Sequence, residues 1–173
     1  MGKFLLYVFK IIIFSSLIAF FIQYLADSGL KKMDNSIYAD WNKILKGQLN
    51  SDLIILGSSR GYVSYDTRII EKTTGLSSYN LSINAGSYNL QGLKFESYLV
   101  KNRHPNVIIQ NIDLTHFSKS KSIQEEFQFF PYLDHNKLTR ELNNLNSDYR
   151  WKLYIPLFKY NPYKSFLEKG LFS

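Results

Sequence analysis

The chain has 173 residues, a formal net charge of +7 and no cysteine. The lack of cysteine excludes disulfide bridges and thiolate-ligated zinc. The basic residues are scattered rather than gathered into a stripe, so we expect no nucleic-acid partner, and an anionic lipid or glycan is the better match to the charge.

The N-terminal segment is apolar from Phe4 to Leu25, and Lys10 is its only charged residue. These roughly 22 residues are enough to cross the hydrocarbon of a bilayer, and the long stem of Lys10 can reach back to the headgroups. A cleaved signal peptide is the alternative, but its apolar core is usually shorter, roughly 7 to 15 residues. We therefore predict an uncleaved anchor over residues 1–26.

The charges on the two sides of this anchor compete to set its orientation. Lys3 and Lys10 lie near the amino end, and Lys31 and Lys32 follow the span. The short N-terminal tail favours an amino end inside the cell. We predict a single-pass protein of the bacterial inner (cytoplasmic) membrane with its C-terminal domain outside the cytoplasm.

Residues 27–50 contain a polar stretch and then an amphipathic one. Residues 27–35 are interpreted as a linker that includes a glycine. Ile37, Trp41, Ile44 and Leu45 then recur at helical spacing before Gly47. The pattern predicts a short helix that packs on the following domain.

Residues 51–173 are predicted to form one α/β domain. Leu53–Leu56 is an unbroken apolar run, typical of a strand buried on both faces of a parallel sheet. The elements that follow are a helix over 66–72, a strand over 78–83, a helix from Asn89 and a strand over 107–109. This alternation predicts a three-layer, doubly wound, flavodoxin-like parallel sheet.

The last third of the chain has a different character. It is rich in aromatic residues and has no further continuous β-run, so we predict irregular structure apart from a short helix over 137–146. Its aromatic and basic side chains are interpreted as ordinary core and a solvated face, or alternatively as a surface that contacts sugar rings or the bilayer interface.

Chemistry-bearing residues follow each predicted strand, where the crevice of an open α/β sheet lies. The three loops are residues 57–61, residues 84–87 and residues 111–116. They supply a hydroxyl at Ser59, a carboxylate at Asp113 and an imidazole at His116. A serine in a tight turn between a strand and a helix is placed for nucleophilic attack, although Ser58 and Ser59 are alternatively just small residues that permit the turn.

The sequence Gly57-Ser58-Ser59, directly after the first strand, resembles the first block of the SGNH/GDSL hydrolase superfamily, with serine in place of the block's aspartate. Leu56 to Arg60 behind a membrane anchor looks like the branch of that superfamily associated with surface polysaccharides. The resemblance covers roughly residues 50 to 116. It implies an SGNH-type fold, Ser59 as nucleophile, Gly86 as an oxyanion donor, and neither metal nor cofactor.

Three further residues complete the predicted site. Ser58, Arg60 and Asn84 are placed with Gly86 in oxyanion or substrate-binding positions. For Arg60 the alternatives are a substrate anion and a nearby carboxylate. The three histidines of the chain are scattered, which is not the pattern of a metal site.

The family's Asp-x-x-His pair near the C-terminus has no match in residues 140–173. The chain is therefore expected to be an incomplete copy, to lack the base, or to use another histidine. Asp113 and His116 have the required spacing, and they lie beside Ser59 if the third strand neighbours the first. His116 is then predicted as the general base oriented by Asp113; alternatively it is a surface histidine after a strand-end aspartate that caps the next turn.

Two functions remain open from the sequence. The first is a serine esterase or acyltransferase acting on an acyl ester of an envelope polysaccharide. The second is a non-catalytic glycan-binding or assembly protein on the same scaffold, without the catalytic base.

Overall fold

A computed structural model of the chain describes residues 2–34, 37–113, 123–146 and 149–173. The chain forms two compact units, one made of residues 1–33, 127–143 and 147–173, and the other made of residues 34–126 with 144–146. The described helices and strands are, in chain order, α1 (Gly2–Leu30), α2 (Ile37–Lys46), β1 (Leu53–Leu56), α3 (Ser59–Ser64), α4 (Thr67–Thr74), β2 (Ser78–Asn80), α5 (Tyr88–Lys101), β3 (Val107–Gln110), α6 (Asn136–Leu145), α7 (Tyr149–Tyr154) and α8 (Lys164–Leu171), with 3-10 turns at Glu126–Tyr132 and Phe158–Tyr160.

The second unit has an α/β fold around a small parallel sheet. Among the described residues this sheet has three strands in the order β2-β1-β3. Ile54 of β1 lies opposite Tyr79 of β2 and Ile108 of β3, and it is fully buried. The α/β class and the central position of β1 are thus confirmed. β3 neighbours β1, as the prediction that Asp113 and His116 lie beside Ser59 requires.

Local hydrogen bonds set the ends of several elements. β2 is Ser78–Asn80, shorter than the predicted 78–83, although the N–H groups of Leu81 and Ile83 still donate to the carbonyl oxygens of Ile55 and Gly57. Asp66 caps α4, and Gly75 ends it in the left-handed conformation at φ 73°. Helix α3, which begins at Ser59 directly after the strand turn, was not anticipated.

Helix α1 is long and apolar enough to cross a membrane. Its 29 residues span about 44 Å, against about 30 Å of hydrocarbon. Only its last turns are buried in the first unit, at Ala26, Gly29 and Leu30. The prediction that a linker begins at residue 27 is wrong for residues 27–30, which continue the helix.

The described residues of the C-terminal third form short helices and 3-10 turns, so the prediction of irregular structure is wrong for them, while α6 confirms the helix over 137–146. α8 crosses α1 at very close range, since a Cβ on Gly29 would lie 1.8 Å from the carbonyl oxygen of Gly170. Asp27 of α1 accepts from Lys159 Nζ at 2.6 Å and from Tyr160 OH at 2.5 Å. Burial of the Lys159 ammonium group lowers the pKa of this side chain.

The helices of this region are short and are separated by prolines and 3-10 turns, so the sequence has no extended helical repeat of apolar residues from which to predict them.

Candidate active site

The turn after β1 is built around Gly57. A Cβ at this position would lie 2.9 Å from Gly61 Cα and 3.0 Å from Asn111 Cβ, so any larger residue would push α3 and the end of β3 away. The Asn80 side chain donates to the carbonyl oxygen of Gly61 at 2.9 Å and holds the first turn of α3 from the other neighbouring strand. The turn is thus held by residues from both strands that neighbour β1.

Ser58 is bound to the carboxylate of Asp113. The Ser58 hydroxyl donates a hydrogen bond to Asp113 Oδ2, and only 8% of the Asp113 side chain is exposed. Asp113 comes three residues after β3, so the pairing of β3 with β1 brings the two residues together. A charge-assisted hydrogen bond of this kind is stronger than one between neutral groups. The carboxylate therefore engages the first serine of the pair rather than the second.

Arg60 pairs with the other oxygen of the same carboxylate. Its Nε lies 3.5 Å from Asp113 Oδ1, while 70% of the arginine side chain is exposed. That distance is that of an ion pair and too long for a strong hydrogen bond. Asp113 Oδ1 is buried and has no hydrogen-bond partner among the described residues. Of the two alternatives for Arg60, the structure shows the carboxylate contact, and the buried oxygen keeps an open acceptor position.

Ser59 is the first residue of α3, and it is exposed. No hydrogen bond joins it to another residue in the described part of the chain beyond the helix itself. Its hydroxyl is thus accessible, as a nucleophile requires. His116, the predicted base, lies outside the described residues, as do Leu114 and Thr115.

The second loop places its two predicted residues differently from the expectation. The N–H of Gly86 donates to the carbonyl oxygen of Ile83 at 2.9 Å, so the turn already uses the group that the resemblance assigns to the oxyanion hole. Gly86 is itself confined, since a Cβ there would lie 2.7 Å from Ile83 Cβ. Asn84 is exposed and donates to Glu125 Oε1 at 2.9 Å.

Two residues at this edge were not predicted as site residues: Ser82, and Asn111 at the start of the third predicted loop. Ser82 Oγ and Asn111 Oδ1 are buried and, like Asp113 Oδ1, lack a hydrogen-bond partner among the described residues. They lie close together, because a Cβ on Gly57 would be 3.2 Å from Ser82 Oγ and 3.0 Å from Asn111 Cβ. Buried polar atoms are normally paired, so three unpaired oxygens at one sheet edge are unusual. The sequence feature that could have identified Ser82 and Asn111 is that both are polar residues just after neighbouring parallel strands.

The arrangement joins an accessible hydroxyl, a buried carboxylate and an arginine at the carboxyl end of the central strand. The described residues contain no group of three histidine, aspartate or glutamate side chains placed to hold a metal ion. Comparison with protein-family models, with curated proteins and with solved structures found no match to this chain.

Proposed function

We propose that this chain is a membrane-anchored, SGNH-like serine esterase or acyltransferase that acts on an acyl ester of an envelope polysaccharide. In this proposal α1 crosses the bacterial inner membrane once, and the remainder is extracytoplasmic with a three-layer, doubly wound fold. The observation that carries the proposal is the contact of Asp113 with the Ser58–Ser59 turn.

That contact supports the proposal because of where it lies. In open α/β sheets the working groups gather at the carboxyl ends of the strands, and both partners follow adjacent parallel strands there. The glycine at the turn, the serine after it and the acid from a neighbouring strand are three of the parts that a serine hydrolase needs at that edge, beside a general base and oxyanion donors. The sequence resemblance in the first block adds to this reading.

The two serines take different roles in the proposal. The Ser58 hydroxyl is committed to Asp113, so it fixes the turn and the carboxylate rather than attacking a substrate. Ser59 is exposed and is the nucleophile. Arg60, which is mostly exposed, is positioned to attract an anionic group of the substrate or to steady Asp113.

The reaction is a two-step acyl transfer. The Ser59 oxygen bonds to the acyl carbonyl carbon while its proton passes to the general base, for which His116 is the candidate. The ester C–O bond then breaks, and the sugar oxygen leaves with that proton as an alcohol. Water, in an esterase, or a sugar hydroxyl, in a transferase, then attacks the acyl-serine and gives its proton to the base. The acyl–Ser59 bond breaks, and the base returns the proton to the Ser59 oxygen.

The open oxygen of Asp113 supports a place for the base. Asp113 Oδ2 is occupied by Ser58, but the buried Oδ1 has no hydrogen bond to a described residue. An imidazole N–H would satisfy this acceptor and be oriented by it. His116 follows Asp113 by three residues, which cover at most about 11 Å of chain.

A second candidate function is a non-catalytic glycan-binding or assembly protein on the same scaffold. One observation favours it, namely that the Gly86 N–H is used by the turn to Ile83. Without that donor an oxyanion would be stabilised less, and a lost oxyanion-hole donor costs about 10² to 10³-fold in turnover.

The experiment that separates the two is release of acetate from an O-acetylated polysaccharide by the full chain in lipid nanodiscs. We expect hydrolysis by the wild type and a loss of about 10³-fold or more in Ser59→Ala. Ser64→Ala, which removes an exposed serine on the same short helix, is the matched control and should keep full activity. Absence of both acetate release and transfer of a labelled acetyl group to an added sugar acceptor by folded wild type, with retained binding of the polysaccharide, would favour the second function.

A further inference from the structure

Part of the first unit presents large apolar side chains outward. Trp151 and Tyr154 on α7 are 58% and 70% exposed, and Ile155 and Phe158 just after that helix are 44% and 43% exposed. We name these four side chains the aromatic collar. Trp151, Tyr154 and Ile155 have the spacing of one helical face, and the N–H of Ile155 still donates to the carbonyl oxygen of Trp151. Phe158 begins the 3-10 turn that follows the left-handed Leu157.

Hydrogen bonds hold residues 157–160, which include the last collar residue, against one face of α1. The N–H of Leu157 donates to Gln23 Oε1 at 2.7 Å. One helical turn further along α1, Asp27 accepts from both Lys159 and Tyr160. Lys159 also donates to the carbonyl oxygen of Phe130 at 2.7 Å, so the buried ammonium is satisfied on two sides. Residues 157–160 therefore keep a fixed height along α1.

The position of residues 157–160 along α1 coincides with the end of the apolar stretch of that helix. Phe4 to Leu25 covers about 33 Å of helix, slightly more than the roughly 30 Å of bilayer hydrocarbon. Gln23 lies two residues before the end of this stretch. If α1 crosses the bilayer, Leu157 lies where hydrocarbon meets the headgroups. Trp and Tyr are enriched at this level because their rings are apolar and each carries one polar group.

We propose that the aromatic collar docks on the surface of the bilayer beside α1 and forms a second membrane contact at the headgroup level. This inference rests on the membrane insertion of α1 in the proposed function, but not on any catalytic activity. The occupant is a lipid surface because Leu157, which lies between Ile155 and Phe158 of the collar, is hydrogen-bonded to Gln23 near the end of the apolar stretch of α1. The exposed apolar side of that helix already requires lipid. Two contacts on one bilayer limit the tilt of the first unit relative to the membrane.

Tryptophan fluorescence tests the docking directly. The chain has two tryptophans, Trp151 in the collar and Trp41, which is fully buried in the other unit. The emission of the full chain in vesicles of phosphatidylcholine and phosphatidylglycerol, minus that of Trp151→Phe, gives the Trp151 signal. We expect blue-shifted emission that is quenched by lipids brominated on the upper acyl chain and protected from aqueous iodide.

Matched variants and vesicle flotation distinguish a failure of the collar to dock from a failure of α1 to insert. Tyr154→Ser with Phe158→Ser should move the Trp151 emission toward that of water and lower the quenching by brominated lipid, whereas Tyr154→Phe keeps the apolar ring and should not. Flotation with the vesicles reports the anchor independently. A chain that floats but whose Trp151 is quenched by iodide and not by brominated lipid would overturn the docking alone.

Two other outcomes also overturn the inference. A chain that does not float lacks the anchor on which the collar depends. A Trp151 signal that ignores lipid but shifts on addition of an acylated polysaccharide would make the collar a sugar-binding surface. Acetate release, measured separately, tests the proposed chemistry and is not decided by any of these results.

Discussion

The Ser58 hydroxyl donates its hydrogen bond to the carboxylate of Asp113, a residue 55 positions later in the chain. The two meet only because β3 pairs with β1 in parallel, so the carboxyl ends of both strands lie at one edge. This contact ties the loop after β3 to the turn that carries Ser59. Its removal should affect the stability of the fold and the reactivity of Ser59 together.

Ser58→Ala should lower the free energy of unfolding by about 1 to 3 kcal/mol, because it leaves a buried carboxylate oxygen without its donor. Urea unfolding followed by far-UV circular dichroism measures this loss. Asp113→Asn and the double variant complete a cycle, in which we expect a coupling of about 0.5 to 3 kcal/mol. Additive effects of the two substitutions would show that the residues do not interact.

Ser82→Ala should leave the stability unchanged or raise it, since the buried Ser82 hydroxyl has no hydrogen-bond partner in the described part of the chain. The same change should rescue a neighbouring substitution. A Cβ on Gly61 would lie 2.6 Å from Ser82 Oγ, so Gly61→Ala alone should cost about 1 to 3 kcal/mol of unfolding free energy. Thermal unfolding of the single and double variants checks this, and a double variant no more stable than Gly61→Ala would contradict it.

Gly29→Ala should loosen α8 from α1, because its Cβ would lie 1.8 Å from a backbone oxygen of Gly170 that cannot swing aside. Overpacking of about 1 to 3 kcal/mol predicts about tenfold or faster hydrogen exchange of the α8 amides. Gly92→Ala is the matched control in mid-α5, where a Cβ meets nothing within 4 Å. It should stabilise the protein by roughly 0.5 to 1 kcal/mol, and equal effects of the two changes would refute the close crossing.

Acid should weaken the fold through Asp52 at the start of β1. The Ser77 hydroxyl, with help from Arg103, holds the pKa of Asp52 below its usual value of 3.8. A lowered folded-state pKa means that the ionised carboxylate stabilises the fold above that value, and that this contribution is lost as the pH falls through the lowered pKa. The stability advantage of wild type over Asp52→Asn should therefore shrink below about pH 4.

Ser77→Ala keeps the Asp52 carboxylate but removes its main hydrogen-bond donor. The stability of this variant should therefore fall less with acid than that of wild type, nearly as little as that of Asp52→Asn. Asp66, whose pKa Arg68 lowers in the same way, leaves a residual dependence in every variant. Parallel stability curves for wild type and Asp52→Asn down to low pH would exclude the Asp52 contribution.

The sheet and the long apolar helix α1 were accessible to sequence reasoning because their signals are continuous apolar runs. Leu53–Leu56 indicated a strand, and its full burial follows from its central place in the sheet. The same kind of run at Val107 and Ile108 gave a strand that is partly exposed, since composition does not distinguish an edge strand from a central one.

The crossing of α1 and α8 could not be predicted, because it depends on the smallness of Gly29 and Gly170 rather than on any repeating pattern. The site was partly predictable. The three loops were identified from their position after strands, and the structure joins Asp113 of the third loop to Ser58 of the first. That Ser58 rather than Ser59 faces the carboxylate depends on the backbone path at Gly57, which sequence spacing does not reveal.

The most direct test of the account is to identify the serine that reacts with a fluorophosphonate probe, by peptide mass spectrometry of the full chain in nanodiscs. We expect a single adduct on Ser59, absent in Ser59→Ala, formed more slowly in Ser58→Ala and unchanged in Ser64→Ala. An adduct on Ser58, or no adduct on folded protein, would contradict it.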